Sequence, residues 1–258
     1  MIDSTSTSRP TGAIILAAGK GKRMNSDLPK VAHVVAGRPM IQWVVDAVRE
    51  VSASPIVLVI GHGSDVIRDT FASDDADLVY AVQDEQLGTG HATTCAASAF
   101  ENFDGDVFVL AGDGPLIRPS TLAAMLTLHQ ESSASATLAT SIIADPTGYG
   151  RIVRDAEKRF ERIVEHRNAT DEQRAICEIY PSYACFDAKS LFAALRDLPR
   201  DEVSGEYYLT DVPEMLRTAG HRVEVTDTVP PEDVLSINTP DQLAEVEQIL
   251  SARLEMSA

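Results

Sequence analysis

Residues 13–30 read AIILAAGKGKRMNSDLPK, and they hold the densest set of chemically useful groups in the chain. Four apolar residues (Ala13, Ile14, Ile15, Leu16) have the character of a buried parallel strand. Ala17, Ala18 and Gly19 then let the backbone turn closely against a ligand, and Lys20, Lys22, Arg23 and Lys30 follow. The formal net charge is −17, so cations concentrated beside exposed backbone amides suit a local polyphosphate site. A solvated surface loop is the other reading of the same residues. Two phosphate motifs fail here. A P-loop needs GxxxxGK followed by Ser or Thr, and a dinucleotide fingerprint needs a small residue where Met24 stands.

Three further positions could complete such a site. Asp113 lies in Gly112-Asp113-Gly114-Pro115, directly after an apolar run. Mg²⁺ takes one or two such oxygen ligands plus substrate phosphates, whereas an Asp after a strand also caps turns. Asn238 poses the same alternative, a turn residue or a neutral oxygen ligand, between the strand expected over residues 234–237 and Thr239. Gln83 and Gln86 flank a turn containing Gly88, Thr89 and Gly90, where side-chain amides and backbone donors could read a nucleobase edge. His91 reads as a helix-start or packing residue. The six histidines show no HExxH spacing and no GxSxG elbow is present, which disfavours a zinc enzyme and a hydrolase triad.

The elements that would position these residues alternate. Strands are expected at residues 13–16, 56–60, 78–82 and 107–111. Helices are expected through Met40 to Val51, through Val66 to Phe71, over residues 92–100 and from Pro119. Continuous apolar strands in a βαβα order predict an α/β fold, with a Rossmann-like, mostly parallel sheet covered by helices on both faces. Ligands in such sheets sit at the carboxyl ends of the strands, so the loops at Gly19, Gln83 and Asp113 should converge on one edge. Beyond residue 134, strand-like runs at 137–143, 151–154, 162–165 and 175–186 predict a small antiparallel lobe. Helices through Leu191 and Met215 and a strand at 223–226 follow. In the last helix Thr239 is the expected N-cap, Pro240 the first residue, and Gln242 the closing residue of a capping box.

Composition narrows the class. With 258 residues and 44% hydrophobic content the chain can bury a full core, and one domain over residues 13–258 is expected after a disordered lead-in at 1–12. The acidic balance argues against a nucleic-acid surface. Cys95, Cys177 and Cys185 form no CxxC pair, which suits a reducing cytoplasm. Residues 1–12 lack a signal or transit pattern, and no run approaches a membrane span.

The motifs LAAGKGKRM (16–24), LPK (28–30), QLGTGHA (86–92), GYGRIVR (148–154), IVEHRNATDEQRAI (163–176) and GEYYLTD (205–211) resemble the uridylyltransferase domain of bifunctional N-acetylglucosamine-1-phosphate uridylyltransferases. These belong to the sugar-phosphate nucleotidyltransferase superfamily. The resemblance implies a Mg²⁺-dependent enzyme that joins UTP and N-acetylglucosamine 1-phosphate into UDP-N-acetylglucosamine, a cell-envelope precursor, and pyrophosphate. It implies Leu16, Ala17 and Gly19 along the nucleotide, Arg23 and Lys30 on its phosphates, and Gln83, Gly88 and Thr89 on uracil. It implies Asp113 and Asn238 as the metal ligands, and Gly150 and Glu165 on the sugar, with the antiparallel lobe as its binding lobe.

Two departures from the family pattern concern the site. Tyr180-Pro181-Ser182 replaces an Asn-Thr-Gly whose Asn touches the sugar, so another sugar 1-phosphate or nucleotide is an alternative. Gly114 replaces a Val beside the metal. A non-catalytic nucleotide-sugar sensor is a third reading, disfavoured by the intact Lys30, Asp113 and Asn238. Full-length members also carry a C-terminal acetyltransferase β-helix, absent from this sequence. Acetyl transfer is therefore expected to be missing, and oligomeric state is left open.

Overall fold

The computed structural model describes residues 9–73 and 76–257. The first half alternates as expected: β1 (Thr11–Leu16), the small hairpin β2 (Val34–Val35) and β3 (Arg38–Pro39), α1 (Met40–Glu50), β4 (Ile56–Ile60), α2 (Ser64–Phe71), β5 (Leu78–Val82), α3 (Thr89–Cys95), β6 (Asp106–Ala111) and α4 (Pro119–Ser132). Then come β7 (Ala136–Ala139), β8 (Ser141–Ile142), β9 (Gly150–Arg154), β10 (Phe160–Val164), α5 (Asp171–Arg174), β11 (Glu178–Tyr180), β12 (Tyr183–Asp187), α6 (Ala188–Arg196), α7 (Val212–Thr218), β13 (Val223–Thr226) and α8 (Pro240–Ser257).

Among the described residues the main sheet has seven strands in the order β13-β7-β12-β6-β1-β4-β5, and β10-β9-β11-β8 form a separate four-stranded sheet. The main sheet is parallel except for β12, which runs against β6 and β7. The four-stranded sheet is antiparallel throughout. Successive residues of β1 serve opposite faces. Ala13 and Ile15 join a core with α1, α2, α4 and α8, while Ile14 joins one with α3, α6, α7 and the antiparallel lobe. Burial on both faces explains why β4 is apolar at every position, each large side chain contributing about 1.5–3 kcal/mol.

Several boundaries differ from the sequence expectation. β1 begins at Thr11, and Arg9 pairs with Asp106 (2.9 Å) and Asp187 (2.8 Å), so the lead-in is shorter than residues 1–12; residues 1–8 lie outside the described residues. The run at 137–143 divides into β7 and β8, in different sheets, at Thr140, whose N–H and C=O bond Thr226 and Val229. The run at 175–186 divides into β11 and β12. There Pro181 has no N–H for a ladder, and Ser182 adopts a left-handed φ of 68° that redirects the chain. The helix expected at 92–100 starts earlier, at Thr89, ends at Cys95 and continues only as a 3-10 turn.

Residues 234–237 form no strand. The Ile237 N–H bonds the Asp113 carbonyl (3.0 Å) from an irregular segment, with Val234 and Ile237 buried. The apolar run there signalled burial and not a ladder.

Candidate active site at the carboxyl edge of the sheet

In the sheet register Leu16 lies beside Val59 and Ala111, and Ile60 beside Val82. Ala17, Gly61, Gln83 and Gly112 therefore leave the sheet at one edge. β12 enters the sheet from that same edge because it is antiparallel, which brings Tyr180 and Ser182 there too. A cavity of about 350 Å³ opens between these loops, lined by Leu16, Ala17, Gly19, Lys30, Gln83, Gly88, Thr89, Asp113, Glu165 and Tyr180 among others. Asn238 reaches this group through Lys30, and Arg23 through Asn238. Gly150 does not line the cavity; it pairs with Tyr180 across β9 and β11.

At one end, Lys30 Nζ donates to Asp113 Oδ2 and to Asn238 Oδ1 (2.6 Å), and Arg23 Nη2 donates to the same Asn238 oxygen (2.7 Å). Lys30 is aimed by a 3-10 turn after Pro29, which packs against Gly63 where any Cβ would fall 2.4 Å from the ring. Because a single ammonium meets both Asp113 and Asn238, their oxygens surround one point. Among the described residues no group of three or more His, Cys, Asp or Glu is placed to hold a metal. The pair instead offers one carboxylate and one amide oxygen, hard ligands that suit a Mg²⁺-sized ion completed by water and phosphate.

In the middle, two of the quoted motifs are joined backbone to backbone. Tyr207 N–H donates to Leu87 C=O (2.8 Å), Gly90 N–H to Tyr207 C=O (2.8 Å), and Leu209 N–H to Thr89 Oγ1 (3.0 Å). Gln83, 4% exposed, is held by Nε2 donating to the Gly88 carbonyl (3.0 Å), with His91 Nδ1 at 3.1 Å. Its Oε1 takes part in neither contact. Gln86 Nε2 donates to Ala18 C=O (2.6 Å), closing the loop onto β1's turn.

Gly88 has φ 98° and ψ 179°, a region open essentially to glycine, and a Cβ there would lie 2.5 Å from the Tyr207 carbonyl. Gly88→Ala is expected to destabilise the fold by about 1–3 kcal/mol, the cost of that strained conformation. Denaturant unfolding checks this, and an unchanged unfolding midpoint contradicts it.

At the other end stand Glu165, Tyr180, Ser182 and Thr210. Thr210 Oγ1 donates to Glu165 Oε1 (3.0 Å), and burial, with Glu165 nearby, pushes the Tyr180 phenol well above its ordinary value. Glu206 also lines the cavity; Arg167 approaches it at 3.6 Å and covers the Tyr208 ring at 4.9 Å. Gly114 leaves space for a neighbour, since a Cβ there would lie 2.7 Å from the Tyr183 hydroxyl.

Asp211, partly buried before α7, is raised to about 6, mainly by burial and then by Glu214, Glu165 and Asp201. A carboxyl raised above its unfolded value of about 3.9 contributes stability that is complete below that value and is lost as pH rises through about 6. Asp211→Asn should therefore flatten the decline between about pH 4 and 6 and stabilise the chain by about 1 kcal/mol at pH 7, after discounting for its exposed part. Denaturant unfolding across that range checks this; an unchanged pH slope in the variant contradicts it.

Residues 13–208 match the MobA-like NTP transferase domain. The chain belongs to the MobA-like NTP transferase family. Its curated relatives within reach include two proteins named Bifunctional protein GlmU. That of Brevibacillus brevis is 45% identical over 94% of this chain and 52% of its own length, and that of Geobacter metallireducens is 45% identical over 94% and 51%. The chain thus spans about half the length of these relatives. A solved UDP-glucose pyrophosphorylase, complexed with UDP-glucose, superposes with a TM-score of 0.74 at 15% identity, covering 95% of this chain and 99% of that one; this likeness establishes the fold.

For this member of the family, sequence reasoning left Ser182, Glu206, Tyr208 and Thr210 without roles, although all four line the cavity. The last three lie inside the GEYYLTD motif, so its quotation was the available signal. Ser182 lies inside the departing Tyr180-Pro181-Ser182 segment, and the left-handed turn after Pro181 brings it to the edge.

Proposed function

We propose that this chain is a Mg²⁺-dependent uridylyltransferase that joins UTP and N-acetylglucosamine 1-phosphate into UDP-N-acetylglucosamine and pyrophosphate. The observation that carries the proposal is the convergence of Lys30, Asp113, Asn238 and Arg23 at one end of a cavity whose middle is the Gln83–Gly88 loop. The 45% identity to proteins named Bifunctional protein GlmU supports the choice of substrates.

Leu16, Ala17 and Gly19 lie along the nucleotide in this reading. Gln83 offers its Oε1 to the uracil imide N–H, with Gly88 and Thr89 forming the rest of the base pocket. Lys30 and Arg23 bring positive charge to the triphosphate. Asp113 and Asn238 would hold Mg²⁺, which would supply charge neutralisation to the triphosphate. Glu165 accepts a sugar hydroxyl, its carboxylate oriented by Thr210. Tyr180 walls the sugar, and Gly150 acts through its pairing with Tyr180, not by contact.

An oxygen of the sugar phosphate attacks the α-phosphorus in line. A new P–O bond forms, the α–β bridging P–O bond breaks, and pyrophosphate leaves with the bonding pair. No protein nucleophile is required, so catalysis rests on position and charge. The two buried cores share one sheet, which supports treating residues 13–258 as one domain. No helix among the described residues is long and apolar enough to cross a membrane, and the three cysteines are free thiols, which suits the cytoplasm.

Tyr180 favours a second reading, the same chemistry with another sugar. A buried phenol beside Glu165 alters the volume and bonding of that end of the cavity. Identification of products by ³¹P NMR, with UTP against a panel of sugar 1-phosphates, tests the proposal. The N-acetylglucosamine adduct is expected as the major product; a different sugar nucleotide favours the second reading, and no adduct from any pair overturns both.

A further inference from the structure

Gln242 stands in the first turn of α8, and its two ends serve different purposes. Its backbone N–H donates to Thr239 Oγ1 (3.3 Å), the N-cap bond expected from sequence. A capping box would turn its side chain back onto the Thr239 N–H. Instead Gln242 Oε1 accepts from the N–H of Asn238 (2.8 Å), one residue further out. The reciprocal half of the expected capping box is thus redirected to the residue whose Oδ1 meets Lys30 and Arg23.

Asn238 needs an anchor of this kind. The segment before it forms no strand, and Pro240, just after it, has no N–H. Its position is held by Ile237 N–H on the Asp113 carbonyl (3.0 Å), by its own Nδ2 on the Ser236 carbonyl (3.3 Å), and by Gln242. Of these, the Gln242 bond ties Asn238 to a long helix. That helix is clamped elsewhere: Glu247 Oε2 accepts from the Ala36 N–H (2.5 Å), and Arg253 pairs with Asp233 and donates to the Leu116 carbonyl (3.1 Å). Three separate contacts therefore fix α8 as a platform, and its first turn reaches the carboxyl edge of the sheet.

We propose that Gln242 is a positioning residue for the cation site, fixing the Asn238 peptide so that its amide oxygen and the Asp113 carboxylate face one ion. The inference rests on reading Asn238 and Asp113 as the cation-holding pair. Groups that orient a metal ligand typically contribute 10- to 100-fold in metal affinity when removed. Gln242→Leu keeps volume and helix propensity but removes the acceptor. Gln242→Glu keeps an acceptor at the same reach. Thr239→Ala removes the helix cap but leaves the Gln242–Asn238 bond.

The test is a Mn²⁺ titration of the purified chain, followed by the EPR signal of the free ion, with thermal unfolding in parallel. Asn238→Ala is expected to weaken Mn²⁺ binding, Gln242→Leu to weaken it at least about tenfold, and Gln242→Glu to restore it. Thr239→Ala is expected to lower Tm while keeping wild-type Mn²⁺ affinity. Wild-type affinity in Gln242→Leu, with a loss in Asn238→Ala, overturns the role of Gln242 and leaves the cation pair standing. An equal loss in Thr239→Ala and Gln242→Leu, or no recovery in Gln242→Glu, assigns the effect to the fold of α8 and also overturns it. Unchanged binding in Asn238→Ala, or no binding by the wild-type chain, overturns the cation pair and the inference together.

Discussion

Asp113→Asn will reduce the rate of pyrophosphate release by about 10²–10³-fold, and the loss will fall mainly on kcat. The substitution keeps the size and shape of the side chain, so the backbone bond from Ile237 N–H to the residue 113 carbonyl is retained. What it removes is the negative charge that Lys30 meets and that a divalent cation would require. Positive charge gathered at the α-phosphorus matters most when the leaving pyrophosphate develops charge, which places the loss in the transition state. Steady-state kinetics over a range of Mg²⁺ concentrations, with a thermal melt as a folding control, checks the prediction. A folded Asp113→Asn chain of unchanged kcat contradicts the assignment of Asp113.

Lys30→Met should cost on the order of 10²-fold in kcat/KM for UTP, the cost of deleting one preorganised charge contact. Methionine preserves the unbranched stem that lies against Gly21, and it removes only the ammonium. The lost group is the one that meets the oxygens of both Asp113 and Asn238, so two halves of the site lose their common partner at once. Lys30→Arg should not recover the full rate, because a planar fork cannot sit where a compact ammonium meets two converging oxygens. Kinetics with UTP as the varied substrate checks both variants, and full activity in Lys30→Met contradicts the role given to this residue.

The parts of this molecule legible in its sequence were those with a local physical cause. The apolar pentapeptide of β4 and the run of β5 carry strand boundaries that the structure matches at both ends. The carboxyl-edge rule then located Gly19, Gln83 and Asp113 together without any knowledge of contacts. Long-range effects were less legible. Residues 175–186 have the composition of one strand, and the turn at Pro181 and Ser182 divides them between two sheets. Residues 234–237 are apolar because they are buried, yet their recorded backbone bond goes to Asp113 and not to a neighbouring strand.

At the site, the same distinction applies. Lys30 and Asp113 are separated in sequence but lie on loops that the sheet order brings to one edge, where the 3-10 turn after Pro29 aims Lys30 at Asp113. Gly88 is explained by its positive φ and by the Tyr207 backbone that approaches it from a distant loop, and Gly90 by the Leu198 side chain and the same Tyr207 carbonyl. Gln242 carried a capping-box signature that was half right: its N–H caps the helix, and its side chain reaches Asn238. Periodicity cannot separate those two destinations, since they differ by one residue.

The central claim is that this cavity joins UTP to a sugar 1-phosphate with a divalent cation at the Asp113–Asn238 end. It is tested most directly by following pyrophosphate release from UTP and N-acetylglucosamine 1-phosphate, once with Mg²⁺ and once with the metal chelated. The account predicts steady release that requires both substrates and stops on chelation. Release that continues undiminished without the metal, or no release when both substrates and Mg²⁺ are saturating, would contradict it.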